Sequence, residues 1–215
     1  MVCKRLGKIC VAVGTLLILS AVILIVHNVN EDKNAEKASN VILPELETSI
    51  ETRNETDNSE ISASNPDDTF GDTDDTSTST DMSIVEIDGY GYIGYLTVPA
   101  LNMSLPIMAE WDYTRLKIAP CRQFGTAAGN DLVIAGHNYT SNFGNLKTLQ
   151  VGDAVYFTDV DGKVISYEVS ATEILQPTQV EEMRNSSWDL TLYTCTYGGR
   201  ERVTIRCKQV QQTAR

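Results

Sequence analysis

Leu190-Thr-Leu-Tyr-Thr-Cys195, a turn containing Gly198-Gly199, and Arg202-Val-Thr-Ile-Arg-Cys207 form the stretch from which the fold is read. Both runs alternate with period two, as strands do. Leu190, Leu192 and Thr194 share one face of the first, with Thr191, Tyr193 and Cys195 on the other. Val203, Ile205 and Cys207 form the apolar face of the second, and Arg202, Thr204 and Arg206 the polar one. Burying the leucine face against the Val/Ile face puts Cys207 inside and leaves Cys195 at a strand end beside an arginine. Upstream, Tyr92–Val98, Asp131–Ala135, Ala154–Thr158 and Val164–Val169 are further short β-branched and aromatic runs bounded by Gly, Pro, Asn and Asp. Asp161-Gly162 reads as a type I′ hairpin turn. Helical pieces are expected only at Tyr113–Ile118, Asn145–Leu149 and Val180–Arg184. Strands spaced so closely, with no βαβ alternation, predict an all-β antiparallel barrel or sandwich of roughly 125–130 residues.

The chain before this unit is of two other kinds. Its 215 residues hold 17 Lys+Arg against 29 Asp+Glu, a net charge of −12, distributed unevenly. Residues 1–30 carry Lys4, Arg5 and Lys8 and no acid; residues 31–81 carry 15 acids and three bases; residues 82–215 carry 14 acids and 11 bases. Ile9–Val26 is an uncharged run of 18 residues, about 27 Å as a helix and close to the ~30 Å of a hydrocarbon core. Basic residues before it and acids after it predict a cytoplasmic N-terminus. The run exceeds the apolar region of a cleaved signal peptide and lacks a small-x-small site behind it, so an uncleaved signal anchor is expected, with an extracellular remainder. Residues 31–82 are rich in Asp, Glu, Ser, Thr and Asn. Val41, Ile42, Leu43, Leu46, Ile50, Ile61 and Phe70 are too few to offset chain entropy, so an acidic, disordered tether spanning about 40 Å is expected, with any helix at Val41–Glu51 transient. The resulting organisation is an anchor at 1–30 (helix about 9–27), a linker at 31–82, a folded unit at 83–210 and a tail at 211–215. No basic face is available to release counterions from phosphates, which excludes a nucleic-acid binder. Five scattered cysteines exclude a disulfide scaffold.

The chemistry narrows by counting. Of two histidines, His27 sits at the edge of the apolar run, leaving His137 as the only imidazole of the folded unit. No HExxH or CxxC supports zinc, and no GxSxG supports a serine hydrolase. A Cys–His arrangement remains. Cys121 and Cys207 read as inert core residues, whereas Cys195 has polar neighbours and a nearby guanidinium, which favours thiolate.

These residues match a family. Thr191-Leu-Tyr-Thr-Cys195 resembles the TLxTC signature of sortases, the membrane-anchored cysteine transpeptidases. Asp131-Leu-Val-Ile-Ala-Gly-His137 resembles the family's strand ending in Gly-His, and Arg202-Val-Thr-Ile the strand opened by its essential arginine. Gly91–Pro99, Leu105-Pro-Ile, Phe143-Gly-Asn-Leu and Val151-Gly-Asp153 extend the likeness over about residues 88–208. The resemblance implies a closed eight-stranded barrel with Cys195 as nucleophile, His137 as general acid/base and Arg202 as stabiliser of the oxyanion. Arg200 shares strand parity with Arg202; the latter is preferred because the β-branched run starts directly after it, and Arg206 is read as a surface charge. No residue can be assigned to orient His137, Asn138 being the adjacent candidate.

The resemblance further implies cleavage of an LPxTG-like C-terminal sorting signal of surface proteins, through a thioester. The acyl group then passes to an amine of a peptidoglycan precursor or a pilin. No cofactor or metal is implied, and the bilayer is a partner through the N-terminal helix. An N-terminal anchor, no C-terminal membrane segment and no DP-aromatic lid motif argue against a dedicated pilin polymerase and leave a housekeeping, class B-like or class D-like enzyme. Pro177–Asp189, with Val180, Met183 and Trp188, corresponds to the loop that reads sorting signals. Trp111 and Trp188 could line a groove, although core packing is the commoner use of the residue. Asp159-Val-Asp161-Gly162 with Glu168 resembles part of a calcium loop, but its first ligand position would be Phe157, so a plain turn is expected. Two alternatives share the site: a barrel that binds sorting signals or wall peptides without turnover, and a thiol peptidase using water.

Overall fold

The computed structural model describes residues 2–60, 82–184 and 187–210. Nine strands follow one long helix, α1 (Val2–Glu60). They are β1 (Val85–Ile87), β2 (Tyr90–Val98), β3 (Met103–Met108), β4 (Cys121–Phe124), β5 (Leu132–Gly136), β6 (Ala154–Asp159), β7 (Val164–Leu175), β8 (Leu190–Cys195) and β9 (Arg202–Gln209). A short helix, α2 (Val180–Arg184), lies between β7 and β8. The sheet order is β1-β2-β3-β4-β5-β8-β9-β7-β6, and β6 pairs again with β2. That second pairing closes β2–β9 into an eight-stranded barrel, with β1 an extra strand on β2. Closure leaves those eight strands no free edge to recruit another chain.

The alternation read from β8 and β9 sets inside and outside. Leu190, Leu192, Val203, Ile205 and Cys207 join Ile93, Leu96, Ile134, Phe157 and Val169 in the interior cluster, all nearly sealed from solvent. Val133, Ala135 and Tyr193 point outward and pack under Leu175, Met183 and Phe124. The outer face is therefore a second core on this side, covered by the β7–β8 connection. Cover explains why Arg206 is no surface charge: it is 2% exposed. Its Nε donates to Glu173 Oε2 (2.9 Å), Nη1 to Thr191 Oγ1 (3.0 Å) and Nη2 to the Glu182 carbonyl (2.9 Å). Alternation identifies a face but not what lies over it.

The expected Asp161-Gly162 turn is a hairpin of another type. Only Gly162 has positive φ (77°) there, while type I′ requires it at both central residues. The Asp159 carboxylate accepts from the N–H groups of Asp161 (3.1 Å) and Lys163 (2.9 Å), which holds a wider turn. The type I′ geometry occurs instead at Asp88-Gly89 (φ 50° and 76°), joining β1 to β2 at the pair Ile87↔Tyr90.

The largest departure is N-terminal. Residues 31–60, expected as disordered linker, continue α1 without a break; residues 61–81 of that linker lie outside the described residues. Ala35, Ser39, Ile42, Leu46 and Ile50 recur every three or four positions and are all buried. Ile42, Leu46 and Ile50 pack on Val85, Ile87, Tyr92, Met108 and Val160. These few apolar residues are too sparse to seed a core, but enough to dock one helical face on a core already present. Docking also offsets Pro44 inside the helix, which lacks an N–H and ordinarily costs about 3 kcal/mol. Toward the N-terminus the same helix is apolar all round, with Leu16, Ile18 and Ile23 each 67% exposed. It is the one described helix long and apolar enough to cross a membrane.

Candidate active site

β5 and β8 run parallel, and their last rung pairs Gly136 with Thr194. His137 and Cys195 are the next residues on these neighbouring strands, whose axes lie about 4.8 Å apart. On its other side, Cys195 pairs directly with Arg202 in the antiparallel ladder. Two ladders thus bring together three residues that lie far apart in sequence. Arg200 lies in the exposed turn between β8 and β9.

The cysteines separate by environment. Cys121 and Cys207 are fully buried, and burial pushes both thiols up to about 12, so neither ionises near neutrality. Cys121 Sγ donates to the Ala119 carbonyl at 3.3 Å. Cys195 is half-buried and free, open to a substrate carbonyl.

The Gly-His pairing has a steric origin. The turn after His137 folds back, with the Phe143 N–H donating to the His137 carbonyl (3.0 Å). Phe143 then fills the space beside Gly136, where a Cβ would stand 2.2 Å from the ring. The imidazole is fixed on two sides. Its ring stacks on Tyr139, with centroids 3.8 Å apart and planes inclined by 16°. Its Nδ1 lies 3.1 Å from Asn138 Oδ1. An amide oxygen only accepts, so this contact places the ring proton on Nδ1 and leaves Nε2 as the basic nitrogen.

Desolvation lowers the His137 pKa below its ordinary 6.5, against smaller opposing effects of Asn138, Glu31 and Asp32. A lowered value means a neutral ring at pH 7, and a requirement for neutral imidazole met down to somewhat below pH 6.5. NMR titration of the His137 ring protons is expected to give a midpoint below 6.5; a midpoint above 7 would contradict this account of the site.

Arg202 is half-buried, and its Nη1 donates to the carbonyls of Gly199 (3.0 Å) and Glu201 (3.1 Å). The guanidinium is braced by its own turn, while Nε and Nη2 make no hydrogen bond among the described residues. Arg202 also borders a groove of about 150 Å³ with Trp111, Tyr193, Val180 and Met183. Tyr193 lies on the same strand face as Cys195, two residues before it, and its hydroxyl donates to Gln123 Oε1 (2.5 Å). Val180 and Met183 come from the β7–β8 connection, whereas Trp188 lies away from the groove, under Lys208 (5.7 Å). Trp111 serves both expected uses, lining the groove and packing edge-on against Tyr113. Tyr139 carries no motif of its own in the sequence; its position two residues past the Gly-His pair is the signal that leads to it.

Fold and site together define a cysteine enzyme scaffold of a known kind. The Sortase domain model matches residues 96–210, and the chain belongs to the sortase family, whose members are cysteine transpeptidases. Among solved structures it is similar to sortase C from Clostridium perfringens (25% identity, TM-score 0.50), covering 56% of this chain and 70% of that one. That protein has also been solved with the C-terminal cell wall sorting motif. Sortase C1 from Streptococcus suis is 27% identical, with a TM-score of 0.51 and coverage of 57% and 75%. Sortase A from Corynebacterium diphtheriae is 25% identical, with a TM-score of 0.52 and coverage of 57% and 62%. The likeness spans sortase A and sortase C proteins alike and reports the family fold. No curated protein sequence matches the chain.

Proposed function

We propose that the protein is a membrane-anchored sortase that cleaves an LPxTG-like C-terminal sorting signal and transfers the acyl fragment to an amine. Neutral His137 takes the thiol proton on Nε2 as Cys195 Sγ attacks the scissile carbonyl. The carbonyl oxygen becomes anionic and accepts hydrogen bonds from Arg202. Collapse expels the amine, which receives the proton from imidazolium, and leaves a thioester on Cys195. An amine from a peptidoglycan precursor or a pilin attacks that carbonyl, gives its proton to His137 and releases the thiolate. A thioester suits the task because it conserves much of the acyl group's reactivity. The observation that carries this reading is the one half-buried thiol of the barrel, flanked by the strand of the barrel's single imidazole and by Arg202. A binding module has no need of all three. The uncleaved signal anchor, cytoplasmic N-terminus and extracellular barrel belong to the same reading; the class B-like or class D-like expectation does not, because the similar solved structures are sortase C and sortase A proteins.

Mass spectrometry after incubation with sorting-signal peptides tests it. Expected are an acyl adduct on Cys195 and an amide product when a glycine or lysine amine is added, with slow hydrolysis otherwise. Acid product alone at every amine concentration would favour the thiol peptidase, and no cleavage of a peptide library would favour the binding module. Within the transpeptidase, Arg202→Ala is expected to lower kcat by about 10²–10³-fold, whereas Arg200→Ala stays near wild type. The reverse ranking would transfer the role to Arg200.

A further inference from the structure

The helix that leaves the apolar run reaches the loop behind His137. Glu31 Oε2 accepts a hydrogen bond from the Tyr139 hydroxyl (2.9 Å) and meets Lys117 Nζ at 3.3 Å. One residue on, Asp32 Oδ1 accepts from the Ser141 N–H (3.0 Å) and hydroxyl, and its carbonyl accepts from the same hydroxyl (3.1 Å). These contacts join segments more than 100 residues apart in sequence. Tyr139 is only 6% exposed and is the ring on which His137 stacks. Both ends of the tyrosine are therefore committed, its face to the imidazole and its hydroxyl to the helix.

We infer that Glu31, acting through Tyr139, is a positioning residue for His137, so that the membrane-proximal helix forms part of the catalytic apparatus. A stacked ring fixes the plane of its neighbour only if it is itself held. Tyr139 has one polar atom, and Glu31 holds it. Without that hydrogen bond the tyrosine can swing about its side-chain torsions, and the imidazole loses the ring that fixes its plane. Small misplacement of a proton-transfer group lowers the rate of the chemical step without weakening peptide binding. Asp32 still fastens Ser141 in such a variant, so the loop stays docked. The inference rests on the sortase reading above for the role of His137, but the linkage itself is geometric.

The test uses the full chain in detergent micelles with a cleavable sorting-signal peptide. Glu31→Ala is expected to lower kcat about tenfold with KM within twofold of wild type. Glu31→Gln keeps an oxygen that accepts from Tyr139 and is expected to recover kcat to within about threefold. Arg53→Ala breaks the ion pair with Asp161 (3.7 Å) elsewhere along the helix and is expected to leave both constants unchanged. A second readout needs no turnover: His137 ring protons, shielded by Tyr139, are expected to move toward free-histidine shifts in Glu31→Ala and not in Arg53→Ala. Wild-type kcat in Glu31→Ala, or unmoved His137 resonances, would overturn the inference. A wild-type chain that cleaves no peptide would sink the sortase reading, and the resonances would still decide the linkage.

Discussion

Cys195→Ala is expected to abolish peptide cleavage and amine transfer altogether, the largest effect in the molecule. No other thiol of the barrel can substitute. Cys121 and Cys207 are buried with pKa values pushed up to about 12, and Cys207 sits on the opposite face of its sheet from the site. The replacement removes a half-buried sulfur at a strand end and leaves the ladder pair with Arg202 intact, so the fold survives. A methanethiosulfonate or vinyl sulfone reagent separates chemistry from folding. With Cys3 and Cys10 of the N-terminal run scored separately by peptide mapping, wild type is expected to take up label at Cys195, and Cys195→Ala to take up none on any barrel cysteine under native conditions. Residual cleavage above about one part in 10³ of wild type would mean that the nucleophile lies elsewhere.

The second large effect concerns stability. Arg206→Met is expected to destabilise the barrel by about 3 kcal/mol, the low end for breaking a buried ion pair. The low end applies because the Glu173 side chain is 40% exposed and regains water when the arginine leaves. What cannot regain water as readily is the Thr191 hydroxyl, 1% exposed as a residue. For a barrel of this size the melting temperature should fall by on the order of 10 °C in a thermal scan. Because Arg206 also holds the Glu182 carbonyl, the groove wall formed by Val180 and Met183 should loosen, raising KM for the peptide. A melting temperature within about 2 °C of wild type would show that the buried network is energetically idle.

The strands that sequence pattern revealed are those in which β-branched residues alternate or run together: β2, β5, β6, β7, β8 and β9. Those it missed break that rule for identifiable reasons. β3 reads Met-Ser-Leu-Pro-Ile-Met, with a proline that pattern reading treats as a breaker. β4 is four residues, two of them Arg122 and Gln123. β1 is three residues and exists as a pair only because Asp88-Gly89 turns it onto β2. The expected helices near residues 113–118 and 145–149 are single 3-10 turns at Arg115–Lys117 and Leu146–Thr148.

For the site, period-two parity put Cys195 and Cys207 on opposite faces and aligned Cys195 with Arg202, because parity is a local property of one hairpin. The stacking of Tyr139 on His137 and the reach of Glu31 to Tyr139 are tertiary. They depend on a turn that folds back on itself and on a helix docking across the barrel, and neither leaves a periodic trace. The acidic stretch misled for a related reason. Composition averages over all faces of a helix, whereas docking needs only the one seam through Ala35, Ile42, Leu46 and Ile50.

The unbroken helix sets how far from the lipid this enzyme can work. Val26 closes the apolar run and Glu31 grips Tyr139 only five residues later, a rise of about 8 Å along the axis. With residues 9–26 in the bilayer, the thiol does not roam at the end of a long leash. On the proposed anchored reading the barrel is held close against the headgroups, at the height where a sorting signal would emerge from the same membrane.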